Sequence, residues 1–147
     1  MMRTRKMRSA FTLIELLMVM VVLAVLAAIV IPKFMSRNQQ AKEAALMSDL
    51  KILRNAVASF QADTGYYPAT LTALTSTTAP ATGLDNTDTS QTITSTSWHG
   101  PYLQATSAPN DPVSGSAFTY SVTSGSVGNI TSSATGSGLN GTAYSTW

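Results

Sequence analysis

Cysteine is absent from all 147 residues, which excludes disulfides, thiolate metal sites and cysteine nucleophiles together. There is one histidine, His99, so neither a Ser-His-Asp set nor a histidine metal cluster can be proposed, and the chain is not expected to be an enzyme. Positive charge stops early. All nine Lys and Arg lie between Arg3 and Arg54, and the only charges beyond are Asp63, Asp85, Asp88 and Asp111. The formal net charge of +2 therefore misleads: without the first ten residues, five basic residues face seven acidic ones, a side-chain balance of −2. That balance argues against nucleic acid as a partner. The first part of the chain also lacks punctuation, since every Gly lies at Gly65 or later and so does every Pro except Pro32. The length leaves room for one membrane segment and one small domain.

What is present is one carboxylate in an apolar run. Met1 to Ala10 carries four basic residues and no acidic one, and the run from Phe11 to Ile31 is interrupted only by Thr12 and Glu15. Twenty-odd apolar residues at about 1.5 Å each span a bilayer core of ~30 Å. A charged side chain inside such a segment is costly unless paired, so Glu15 marks function. A secretory signal peptide is the alternative reading, but the run exceeds the usual apolar core of such peptides and an early Glu does not suit one.

Beyond Pro32 the helical pattern resumes. Leu46, Leu50, Leu53, Val57 and Phe60 follow spacings of 4, 3, 4 and 3, one stripe of a helix. Gly65 is the expected stop. The expectation is one helix from Phe11 to Asp63, with Pro32 as the candidate kink where water or neighbours can compensate the lost backbone bond. From Gly65 onward Ser and Thr dominate, while Trp98, Tyr102, Leu103, Phe118, Tyr120, Val122 and Ile130 supply core. Phe118-Thr119-Tyr120-Ser121-Val122 alternates as a half-buried strand does. This is an α+β pattern, a small antiparallel sheet on the Leu46–Phe60 stripe, with Thr75 to Ser97 read as a surface loop holding one weak strand near Ile93. Asp85-Asn86-Thr87-Asp88 reads as a turn, because the glycine and terminal Glu of a calcium loop are missing.

A basic leader followed by Phe11-Thr12-Leu13-Ile14-Glu15 resembles the class III signal of type IV pilins and type II secretion pseudopilins. The resemblance implies a pilin-like fold and cleavage by a prepilin peptidase between Ala10 and Phe11. It also implies N-methylation of Phe11, and pairing of Glu15 with the N-terminal amine of a neighbouring subunit as an assembly register. The family favours Gly before the cut; Ala10 adds a methyl, which predicts slow processing. The implied division is a leader at 1–10, a transmembrane and filament-core helix at 11–32, an amphipathic helix at 33–64 and a globular β domain at 65–147.

In the second half, Asp63-Thr64-Gly65-Tyr66-Tyr67-Pro68, Gly100-Pro101-Tyr102-Leu103, Asn110-Asp111-Pro112 and Phe118-Thr119-Tyr120 are similar, in order, to landmarks of the major pseudopilins. That group usually binds calcium in its last loop. Here no Asp or Glu follows Asp111, so no cofactor is expected beyond a weak calcium site with Asp111 and Asn129 as candidate ligands. The resemblance further implies a homo-oligomeric helical filament, a prepilin peptidase/N-methyltransferase, an inner-membrane assembly platform and minor pilins or pseudopilins as partners. The location would be the bacterial inner membrane, with the C-terminal domain outside the cytoplasm. A type II secretion pseudopilin is the leading reading, a type IV pilin of a surface filament for adhesion, motility or DNA uptake the next, and a membrane-anchored binding module the third.

Overall fold

The computed structural model describes residues 11–147, and the leader expected at Met1 to Ala10 lies outside them. Helix α1 spans Leu13–Thr64, 52 residues. It runs through Pro32, whose ring removes the N–H that would bond to the carbonyl four residues earlier. One turn on, Ser36 Oγ donates to the carbonyls of Lys33 (3.1 Å) and Pro32 (3.4 Å). The helix stops at Gly65, whose φ of +80° is costly for any residue with a Cβ. Its N–H donates to the Gln61 carbonyl at 2.8 Å, the left-handed cap that the sequence announces.

Two compact units divide the chain, the first ending at Asn38 and the second comprising Gln39–Trp147. In the first, every large apolar side chain described from Phe11 to Phe34 is exposed.

The second unit is built on the α1 stripe. Leu46, Leu53 and Phe60 are wholly buried, with Leu50 and Val57 nearly so. Burying such a side chain contributes about 1.5–3 kcal/mol, so these positions account for much of the unit's cohesion. Leu74, Ile93, Leu103, Phe118, Ile130 and Tyr144 close over them. Tyr102 packs edge-on against Phe60 with ring centres 5.4 Å apart, and Trp98 against Tyr102 at 6.2 Å.

The fold is α+β and pilin-like, with its strands arranged as two small antiparallel sheets. The first has the order β1 (Tyr67–Pro68), β2 (Thr82–Leu84), β3 (Ser90–Thr92), with Pro68 opposite Gly83 and Gly83 opposite Gln91. Pro68 lies on an edge strand, where its missing N–H costs least. The second pairs β4 (Thr119–Tyr120) with β5 (Ile130–Thr131), Tyr120 opposite Ile130.

Two expectations need correction. The segment Thr75 to Ser97 holds β2 and β3 rather than one strand near Ile93; Ile93 falls just after β3 and is buried. The hairpin between them is made by Asp85, whose Oδ1 accepts the N–H groups of Thr87 (2.9 Å) and Thr89 (3.0 Å) and the Thr87 hydroxyl (2.6 Å). Val122, expected in the core, is 38% exposed. The alternation stops because Ser121 faces two residues of the returning strand, its N–H donating to the Asn129 carbonyl and its carbonyl accepting from the N–H of Gly128, whose φ of +87° makes a bulge.

Candidate functional site

Thr12 and Glu15 make a reciprocal cap at the start of α1. The Thr12 N–H donates to Glu15 Oε2 at 2.9 Å and the Thr12 hydroxyl donates to the same oxygen at 2.8 Å. In return the Glu15 N–H reaches Thr12 Oγ1 at 3.3 Å. This is a capping box, satisfying donors that any helix leaves unpaired at its first turn. Phe11 and Leu16 hold the two positions whose apolar side chains commonly staple such a cap. The Thr-x-x-Glu spacing was readable in the sequence, yet the reading gave Glu15 an intermolecular partner alone. Among the described residues both side-chain bonds end on Oε2, and no donor reaches Oε1.

Phe11 precedes the helix and is 81% exposed. From there α1 is long and apolar enough to cross a membrane: an 18-residue window has a mean hydropathy of 3.1, and none of it is buried.

Asp111 is fully buried. Its Oδ1 accepts the N–H groups of Val113 (2.8 Å) and Ser114 (3.2 Å), and its Oδ2 accepts the Ser133 N–H (3.0 Å) and the Ser132 hydroxyl. Its backbone N–H and carbonyl are also taken, by Ser116 and Gly115. Burial pushes this carboxyl upward, but the hydrogen bonds led by Ser132 outweigh it and leave the group below its ordinary value. Asp111 thus fastens the loop after Asn110 to the segment after β5. Asn129 is exposed and its backbone belongs to the β4–β5 turn.

These residues do not fit calcium, which needs six to eight oxygen ligands. Both Asp111 oxygens are spent on protein donors, and among the described residues no three acidic or histidine side chains cluster to replace them. The unfolding temperature of the full chain in detergent is therefore expected to be the same in EDTA and in millimolar calcium. A rise of several degrees with calcium would show a site that binds the folded state.

Sequence reasoning missed a second buried carboxylate. Glu43 is 8% exposed, and its Oε1 accepts the Tyr144 hydroxyl (2.7 Å), the Leu139 N–H (3.0 Å) and Gln39 Nε2 (3.2 Å). The Tyr144 hydroxyl is the main reason that this carboxyl lies below its ordinary value. The Gln39–Glu43 pair, four residues apart, was visible in the sequence; a tyrosine 101 positions away was not. Arg54 ties the same helix to β5, donating through Nη2 (2.7 Å) and Nε (3.2 Å) to the Ile130 carbonyl. His99 is a surface residue as expected, its side chain 68% exposed and its Nδ1 3.5 Å from Asp63 Oδ2. Tyr102 also donates to that oxygen, at 2.8 Å.

A capped carboxylate opening an exposed apolar helix half, with a small β domain on the remainder, defines a class of N-terminally anchored chains. Residues 5–31 accordingly match the prokaryotic N-terminal methylation motif. Residues 33–143 match the family model described as type II secretion system (T2SS), protein G, and the chain belongs to that family. Relatives named type II secretion system core protein G include one from Pseudomonas aeruginosa, 42% identical over 66 residues, 45% of this chain and 46% of the relative. Those from Aeromonas hydrophila and Escherichia coli are 36% identical over 66 residues and 35% over 69, covering 45% and 47% of this chain and 46% and 48% of the relatives. The chain thus spans about half the length of the curated relatives it matches. No solved structure matches it.

Proposed function

We propose that the chain is the major pseudopilin of a type II protein secretion system, a structural subunit of a helical filament and not an enzyme. The observation that carries this reading is the capped Glu15 at the head of an exposed apolar helix, in a chain of the protein G family. Before assembly, residues 11–32 lie in the inner membrane and residues 65–147 stand outside the cytoplasm. A prepilin peptidase removes residues 1–10 by cutting between Ala10 and Phe11, and Phe11 is N-methylated. The apolar helices then leave lipid for one another.

Glu15 sets the register. Thr12 holds Oε2, and the amine of a neighbouring Phe11 approaches Oε1, so one ion pair replaces two unpaired charges in a low-dielectric core. The contact is between different surfaces of identical subunits, and it propagates without closing. The assembly platform of the inner membrane and minor pseudopilins are the remaining partners. Nucleic acid is not among them, because no Lys or Arg follows Arg54.

Mass spectrometry of membranes and of sheared surface filaments tests this directly. An N-methylated peptide beginning at Phe11, found in membranes alone, is the expected result. The same peptide in sheared surface filaments would move the chain to a surface pilus, and an intact leader in both fractions would refute processing.

A further inference from the structure

Helix α1 carries opposite charges on opposite flanks of Leu50. Asp49 and Lys51 are two residues apart, about 200° around the helix axis, so they stand on either side of the core-facing Leu50. Each opens into its own cleft. Asp49 lines one of about 540 Å³ between α1 and the segment 103–110, with Ile52, Leu103 and Pro109 as its apolar wall. Lys51 lines one of about 410 Å³ on the other flank, with Met47, Asn140 and Trp147.

Neither charge is answered among the described residues. Helical ion pairs form three or four residues apart. Asp49 has Ala45, Leu46, Ile52 and Leu53 at those distances, and Lys51 has Met47, Ser48, Arg54 and Asn55. The only ion pair among the described residues is that of His99 with Asp63. Asp49 is half-buried, and its carboxyl is raised by burial and by the nearby Asp111 carboxylate, which marks a charge without local compensation. A large apolar side chain lies half exposed beside each: Ile52 (50%) next to Asp49 and Met47 (52%) next to Lys51. A charge in an apolar cleft on one flank and its complement on the other is what a head-to-tail contact between identical chains requires.

We propose that the Asp49 cleft of one copy receives the Lys51 side chain of a second copy, its methylene stem lying along Ile52 and Pro109 and its ammonium meeting the carboxylate. A lysine suits the cleft because its apolar stem and charged tip match wall and end in turn. Arg54, the other cation of that flank, is already committed to the Ile130 carbonyl. The inference rests on the filament reading above and adds a second, extramembranous contact to the one at Glu15.

The absence of native cysteine makes the test clean. In the full chain the lysine stem holds the two backbones farther apart than a disulfide allows, so a short bis-maleimide that stands in for that stem is used in place of oxidation. Filaments of the Asp49→Cys/Lys51→Cys double variant treated with it are expected to run as a covalent ladder of multimers, while either single variant runs as monomer. In a second arm, Asp49→Lys and Lys51→Asp alone should each lower filament yield about tenfold or more, and the combined swap should restore it. Filaments visible by electron microscopy without a ladder would overturn this contact and leave the filament reading standing. Dimers from either single variant would likewise overturn it, since they require like surfaces to meet. Failure of the unaltered chain to form filaments would overturn the filament reading, and this contact with it.

Discussion

Replacing Glu15 with Ala is expected to leave membrane insertion intact and to reduce filament yield to background, read by shearing and by membrane fractionation. Two losses are superimposed in that variant: the capping box with Thr12, and the carboxylate available to a neighbour's amine. Glu15→Gln separates them. A glutamine at this position of a capping box still accepts the Thr12 N–H, so the first turn of α1 keeps its cap. It carries no charge, so the ammonium entering the filament core stays unpaired. A register role for Glu15 therefore requires that Gln fail nearly as badly as Ala. A Gln variant that assembles like the unaltered chain would reassign Glu15 to helix initiation alone. Thr12→Val supplies the converse, removing the hydroxyl while leaving the carboxylate in place, and is expected to assemble at reduced yield.

Asp111→Ala is expected to lower the stability of the Gln39–Trp147 unit by about 3–5 kcal/mol, the usual cost of taking one partner from a buried charged network. Four donors, on Val113, Ser114, Ser132 and Ser133, lose their acceptor together. Against a total of ~5–15 kcal/mol for a domain, that is a large share. Thermal unfolding of the full chain in detergent, followed by circular dichroism, should fall on the order of 10–20 °C. Asp111→Asn should fall less, since one oxygen remains while the amide nitrogen meets N–H groups head-on. A drop of under about 3 °C for the Ala variant would mean that these hydrogen bonds do not hold the loops together.

The same carboxylates set the response to acid. Asp111, Glu43 and Asp85 all lie below their ordinary values in the folded chain. The unfolded chain therefore takes up protons first as pH falls. Their contribution is fully present above the ordinary carboxylate range and drains away as pH drops through and beneath it. Asp49 works in the opposite sense, because its folded value is raised. Three groups against one make net acid lability the expected outcome, and Asp111→Ala should show a shallower loss below about pH 4 than the unaltered chain.

Periodicity and motif carried most of what could be read before the fold was known. The stripe from Leu46 to Phe60 repeats over four turns, long enough for spacing alone to decide which face is buried, and Gly65 ends the helix as its composition requires. The sheets were less legible. Strands of two or three residues, such as Thr82–Leu84, are too short for alternation to accumulate, and Ser90–Thr92 has no apolar residue to alternate. Their hairpin is specified by a single Asp85 side chain instead. The same limit hid the buried carboxylates. Glu43 is written in the sequence as one more charge on a helix, and only the return of Tyr144 to that helix makes it interior. Asp111 suits a cation by residue type, whereas the two donors that make it interior, on Ser132 and Ser133, come from beyond β5 and leave no local signature.

The closed hydrogen-bond shell of Asp111 bears on the kinetics of folding. A loop held by an external ion orders at a rate set partly by encounter with that ion, so its folding time depends on supply. Here every donor that Asp111 needs is covalently part of the same molecule, and the last step of ordering is unimolecular. On the filament reading proposed above, each new copy would then order its loops on a clock internal to the chain, without waiting on an external ion.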